Sequence, residues 1–188
     1  MNMIPDELWV KKAVEGDLNA FDEIMKRHQA KIYNLAYRLL GNAEDAEDAT
    51  QETFIEAYKS LKSFQYKSKF STWLYRVALN TCHQQIRKAE SRKRTLTAFA
   101  DNFKILNSDN GMETPDSVAI KKEQETLLQA AIDKLPEKQK QVIVLFYVQN
   151  LKYREIAEII GCPEGTVASR LNTAIRNLKP KLKDLMHN

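Results

Sequence analysis

The stretch KYREIAEIIGCPEGTVASRLNTAIRNLK, residues 152–179, decides the fold. A short helix carrying Ile156, Ala157 and Ile160 halts at Gly161, and a second carries Val167, Leu171, Ala174, Ile175 and Leu178 at three-and-four spacing. Ala157 is small where two helices would cross, Gly161 tolerates a left-handed turn, and Val167 is a branched anchor in the second helix. That is the pattern of a helix-turn-helix. With the apolar arc inward, Gly165, Ser169, Asn172, Thr173 and Arg176 face outward and Arg170 lies on the flank. On a reading helix such side chains reach base edges, and an arginine on the flank suits phosphate. A plain helical hairpin with an exposed polar face is the bland alternative.

Outward from this motif the chain stays helical. It has 188 residues, 43% of them apolar, with only 5 Gly and 5 Pro to punctuate strands and hairpins. Upstream, Gln149-Asn150 breaks a helix that begins after Pro136 and turns Val142, Leu145 and Phe146 inward. Before it, Thr114-Pro115 has the cap-then-proline form of a helix start, with Ile120, Leu127, Leu128, Ala131 and Leu135 as its apolar face. In the first half, Asp17 caps a long amphipathic helix (Phe21, Ile24, Met25, His28, Ile32, Leu35, Ala36, Leu39) that Gly41 ends. His28 reads as a core residue of that stripe, since no second His or Cys is spaced to join it on a metal. Asn42 caps the next helix, with Glu44 and Asp45 in its first turn, where the dipole favours anions.

The net charge of +4 says less than its distribution. Residues 43–56 hold six acids and no base, whereas residues 57–94 hold ten bases against the single acid Glu90. Asp45, Asp48 and Glu52 share one helix face, beyond what capping needs, and so make a docking candidate; Ala46, Ala49, Phe54, Ile55, Tyr58 and Leu61 are left for apolar contact. Over residues 69–87, Phe70, Trp73, Leu74, Val77, Ala78 and Thr81 form an apolar arc, and Thr72, Arg76, Asn80, His83 and Arg87 form a second, polar and basic stripe. Arg and Asn suit phosphate and base-edge contact better than the mixed Glu and Lys of a merely solvated face. Residues 95–117 are acidic and rich in turn formers, which reads as a flexible linker.

Cys82 and Cys162 lack companions at metal or disulfide spacing and read as two reduced thiols. No apolar run is long enough to span a membrane, and the start of the chain is too charged for a secretory signal, so a cytoplasmic protein is expected. An enzyme built on Asp45, Asp48 and Glu52 would lack a phosphate-cradling Gly loop, paired His, and any nucleophile and base constellation. A stand-alone helix-turn-helix regulator would explain the second half but leave the acidic and basic helices of the first without a role.

DAEDATQETFIEAYKSL (45–61), FSTWLYRVALNT (70–81) and LPEKQKQVIVLFYVQNLKYREIAEIIGCPEGTVASRL (135–171) closely resemble the region 2 and region 4 motifs of bacterial extracytoplasmic-function (ECF) sigma factors, group 4 of the sigma-70 family. The resemblance spans nearly the whole chain in order and spacing. It implies an all-α protein of two small helical domains: region 2 over 1–94, a linker over 95–117, and region 4 over 118–188. It implies that Asp45, Asp48, Gln51 and Glu52 bind the clamp helices of the RNA polymerase β′ subunit. The loop 63–71 and the helix after it would open and read the minus-ten element through Phe64, Lys69, Arg76, Asn80 and Arg87. A melted base leaves the stack at a cost of a few kcal/mol and needs a pocket to hold it. Region 4 would engage the β flap and read the minus-thirty-five element through Thr166, Ser169, Arg170, Asn172, Thr173 and Arg176. The linker would thread the polymerase RNA path, and a membrane-anchored anti-sigma factor would occlude both domains. No cofactor, metal or catalysis is implied. Family members often carry Lys or Arg where this chain has Ala168, Thr173 and Ile175, so weaker phosphate anchoring is expected, with Lys179, Lys181 and Lys183 as compensation.

Overall fold

The computed structural model describes residues 5–100 and 117–186, and every element among them is helical. The first half comprises α1 (Asp6–Val14), α2 (Leu18–Leu40), α3 (Ala43–Ser60), a 3-10 turn (Leu61–Ser63) and α4 (Phe70–Ala100). The second comprises α5 (Ser117–Asp133), α6 (Glu137–Ile143) with a π-helical turn (Val144–Val148), α7 (Tyr153–Ile160) and α8 (Glu164–Met186).

Local chemistry sets the helix ends. Asp17 accepts from the Ala20 amide, Asn42 accepts from the Asp45 amide, and both donors would otherwise be unsatisfied in the first turn. Gly41 and Gly161 close α2 and α7 in left-handed geometry, their amides returning to Tyr37 and Ala157 carbonyls. Asn150 also sits at positive φ and breaks the chain where Gln149-Asn150 is expected to.

The expected core positions of α2 are buried: Phe21, Ile24, Ile32, Leu35, Ala36 and Leu39 face α3 and α4, with Met25 half-buried. His28 is buried too, and its Nε2 lies 2.8 Å from the Asp6 carboxylate. That carboxylate also accepts from Arg27 Nη1 at 3.2 Å, which ties the short α1, an addition to the helices expected from sequence, onto α2. Burial of Val10 in that contact stabilises it by about 1.5–3 kcal/mol.

The structure differs from expectation in two respects. Helix α4 runs past residue 94 to Ala100, because KRTLTAFA contains no glycine, proline or capping residue to stop it. The rest of the expected linker, with the Thr114-Pro115 start, lies outside the described residues. The two halves also share one continuous apolar cluster. Helix α7 packs on α4, and the π-helical turn packs on α2. Polar bonds fasten the seam: Arg38 donates to Gln129 Oε1 at 3.1 Å, Lys140 reaches the Leu39 carbonyl at 3.3 Å, and Gln149 donates to the Lys31 carbonyl at 3.1 Å.

Gly41 lies on this seam. At φ 85° it needs a conformation that costs an L-residue about 1–2 kcal/mol, and an added Cβ would meet the Asp133 carboxylate at 3.2 Å. Gly41→Ala is therefore expected to lower the stability of the chain by about 1–2 kcal/mol or somewhat more, read from the midpoint of urea denaturation, whereas an unchanged midpoint would contradict the close approach.

Candidate nucleic-acid interface

The acidic face of α3 is presented as the spacing requires. Asp45, Asp48 and Gln51 are exposed, and Glu52 is partly so. Asp45 is committed in part to the cap, its carboxylate accepting from Asn42 Nδ2 at 2.6 Å. Lys88 approaches Glu52 at 3.8 Å across an open groove of about 770 Å³ between α3 and α4, lined also by Ile55, Ile86 and Arg92. Of the apolar positions of α3 and the turn after it, Ala46, Ala49, Phe54 and Leu61 are buried, but Ile55 is 53% exposed and Tyr58 is exposed beside the Phe21 ring. Ile55 follows Asp48 by seven residues and so falls on its face, a spacing that would have found it. The α3 surface is thus acidic around the exposed apolar side chain of Ile55.

The loop before α4 departs from expectation. Phe64 is 7% exposed, in a cluster of rings with Phe70, Trp73 and Tyr66, so it supports the loop from within and presents no free face. The ring that reaches solvent is Tyr66, 51% exposed and held at φ 56°, a left-handed conformation unusual for a bulky side chain. Hydrophobicity separates the two: phenylalanine gains more from burial, whereas the tyrosine hydroxyl keeps one end in water. Trp73 is half-buried in the same cluster, which resolves it as packing.

Along α4, Arg76, Asn80 and Arg87 are exposed and His83 is partly so. Thr72, expected on this stripe, is only 3% exposed, and Val77 of the apolar arc is half-exposed. The reason is α7, which lies over the start of the stripe. Lys69 Nζ pairs with Glu155 Oε1 at 2.8 Å, and Arg76 Nη2 donates to the Glu158 carbonyl oxygen. The Tyr75 hydroxyl, whose pKa burial pushes up to about 12, donates to Gln149 Oε1 at 2.8 Å. The bond to Glu155 raises the pKa of Lys69 above its ordinary value. The bonds from Lys69 and the Lys152 amide in turn lower that of Glu155 below the usual glutamate range. Further along, His83 Nε2 stands 2.9 Å from Glu137 Oε1 and 2.6 Å from Gln141 Nε2, another link between the halves.

Helices α7 and α8 form the expected helix-turn-helix. Val167, Leu171 and Ala174 are buried, and Ser169, Asn172 and Arg176 are exposed, with Thr166, Arg170 and Thr173 partly so. The Ser169 hydroxyl donates to the Thr166 carbonyl and that of Thr173 to the Ser169 carbonyl, which leaves both oxygens as acceptors toward a base. Arg170 Nη1 lies 3.9 Å from Cys162 Sγ, turned back toward the motif's own turn. The side chains of Lys181 and Lys183 lie outside the described ones. Cys82 is fully buried, which pushes its thiol up to about 12 and makes it unreactive. Among the described residues no group of His, Cys, Asp or Glu is placed to hold a metal ion, and no helix is long and apolar enough to cross a membrane.

The structure thus joins a helical bundle that carries acidic and basic faces on consecutive helices to a helix-turn-helix. A family model for sigma-70 region 2 matches residues 24–92 and one for sigma-70 region 4 matches residues 125–178. The chain is 38% identical to the ECF RNA polymerase sigma factor SigW of Bacillus subtilis, over 94% of this chain and 96% of that one. It is 35% identical to the ECF RNA polymerase sigma-E factor of Haemophilus influenzae, over 97% of this chain and 98% of the relative. Its fold is similar to that of the sigma factor RpoE solved with the anti-sigma factor NepR from Bartonella quintana. The TM-score is 0.67 at 25% identity, covering 87% of this chain and 96% of that one. The chain belongs to the ECF sigma factors. The match spans both halves, which a stand-alone helix-turn-helix regulator would not require.

Proposed function

We propose that this sigma factor docks on core RNA polymerase through the α3 face and the second half, reads and melts the minus-ten element through α4 and the loop before it, and reads the minus-thirty-five element through α8. Asp48, Gln51, Glu52 and Ile55 form the patch for the β′ clamp helices, with Asp45 at its capped edge, and the second half engages the β flap. Lys69, Arg76, Asn80 and Arg87 hold the melted strand, and Tyr66, in place of Phe64, offers the ring against which a flipped base stacks. An anti-sigma factor, such as accompanies the similar RpoE, would control the chain by covering these faces.

The observation that carries the reading is the apposition of charge. An acidic patch around the apolar Ile55 on α3 and an arginine and asparagine stripe on α4 lie on one bundle, which suits two partners of opposite charge. Co-migration of the purified chain with core RNA polymerase at physiological salt, where loose polyelectrolyte association is screened, tests it. A stoichiometric complex is expected; free migration together with tight duplex binding by the chain alone would overturn it.

On α8, Arg176 is the exposed base-reading cation, while Arg170 is turned toward Cys162. Arg176→Ala is expected to weaken discrimination at one base pair of the minus-thirty-five element by about 1–3 kcal/mol. Competition binding of holoenzyme to single-substituted promoters checks this, and a uniform loss across all sequences would reassign Arg176 to phosphate.

A further inference from the structure

Among the buried residues of α2, His28 is the polar one. A leucine there would complete the stripe without needing a partner, whereas the imidazole, 6% exposed, needs one and has it: Nε2 donates to Asp6 Oδ2 at 2.8 Å. The other oxygen of that carboxylate accepts from Arg27 Nη1 at 3.2 Å, so the carboxylate is held at both ends and fixes the plane of the imidazole. The bond depends on α1, which packs on α2, on the 3-10 turn and on α4.

The imidazole in turn meets the Phe70 ring edge to face, with centroids 5.7 Å apart at 68°. Phe70 meets Phe64 at 5.7 Å and 86°, and Phe64 meets Tyr66 at 4.7 Å and 51°. A run of rings therefore leads from the Asp6 carboxylate to the exposed ring of the loop. Edge-to-face pairs are directional, so a turn of one ring is felt by the next. Tyr66 sits at φ 56°, a conformation that a bulky residue keeps only where its surroundings over-determine it. The ring cluster supplies that constraint, and the bond from His28 to Asp6 anchors its inner end.

We propose that Asp6 and His28 are positioning residues for promoter opening: their bond, passed through Phe70 and Phe64, sets the pose of the Tyr66 ring that takes the flipped base. This rests on the assignment of Tyr66 to that base. His28 is buried and Asp6 belongs to α1, so both act through the cluster and not on the strand. With the bond broken the bundle still folds, but Tyr66 samples poses that do not stack.

The test has two readouts on the full chain. The first is fluorine NMR of the free chain carrying 3-fluorotyrosine, the Tyr66 resonance being assigned by its loss in Tyr66→Phe. One narrow Tyr66 resonance is expected in the parent, shifted or broadened in Asp6→Ala and restored in Asp6→Asn, whose amide oxygen still accepts from His28. His28→Phe keeps a ring against Phe70 and removes the bond, so it should reproduce Asp6→Ala. The second is permanganate reactivity in the holoenzyme, on a promoter that the parent holoenzyme selects from a random duplex pool. Asp6→Ala should lower opening by about tenfold in the parent background and by nothing further in Tyr66→Ala, as for residues that act through one another. A merely destabilising change would cost the same in both backgrounds, and that result would overturn the proposal. So would a Tyr66 resonance untouched by Asp6→Ala and His28→Phe, measured well below their urea midpoints. Normal opening by Tyr66→Ala, with its resonance still responsive to Asp6, would instead remove Tyr66 from the flipped base and leave the run of rings standing.

Discussion

Asp48→Lys with Glu52→Lys is expected to reduce the affinity for core RNA polymerase by about a hundredfold or more while leaving the helical fold intact. Neither carboxylate serves the interior. Asp48 is exposed, and Glu52 pairs with Lys88 at 3.8 Å, a surface pair of the kind that contributes about 0–1 kcal/mol. Their reversal should cost the fold little, with Lys88 facing a like charge as the main penalty. Against a basic partner surface the same two changes replace attraction by like-charge contact, which costs several kcal/mol, and each 1.4 kcal/mol is about tenfold in affinity. Asp45 is left intact because its carboxylate belongs to the Asn42 cap, and its loss would confound docking with helix stability. Circular dichroism and the urea midpoint establish that the variant folds; co-migration with core polymerase reads the binding. A folded variant with undiminished affinity would remove the α3 face from the interface. Ile55→Ala should lower affinity in the same assay without charge change, since it lies at the apolar centre of the patch.

What the sequence reveals of this chain divides along the range of the interactions involved. The caps at Asp17 and Asn42 and the left-handed stops at Gly41 and Gly161 depend on side chains within four residues, and each stands where local chemistry requires it. The core stripe of α2 follows from periodicity alone, as does the helix-turn-helix. The end of α4 is less legible: composition after residue 94 turns acidic and polar only at Asp101, and a helix without a breaker continues until one arrives. The site is harder still. Thr72 and Arg76 share a stripe, but one is buried and the guanidinium of the other donates to a carbonyl over eighty residues away. Nothing in the spacing of either helix announces that Glu155 will meet Lys69. Phe64 and Tyr66 differ on paper by one hydroxyl, a small bias toward burying Phe64, and the ring cluster with Phe70 and Trp73 turns that bias into an inward ring.

Arg76→Ala with Asn80→Ala is expected to spare polymerase binding and to lower open-complex formation by about tenfold to a hundredfold. The first half of that expectation follows from position. Both side chains are exposed on α4, away from the Asp48 and Glu52 face, and neither is part of the bundle core. The second half weighs two effects. Arg76 is one of the groups through which α7 packs on α4, so its loss weakens that contact in the free chain. Yet promoter opening is measured in the holoenzyme, and a change in the stability of the free chain does not enter its barrier. What remains is the loss of a charged hydrogen bond to the strand, worth about 1.5–3 kcal/mol, together with that of the Asn80 amide. The loss should therefore dominate. Permanganate reactivity of unpaired thymines reads opening directly, and polymerase co-migration is the control. Asn80→Ala alone separates the two effects, because among the described residues Asn80 makes no hydrogen bond to the second half: it should slow opening without changing the urea midpoint of the free chain. Normal opening by the double variant would take the α4 stripe out of the melting step and leave the loop around Tyr66 to perform it.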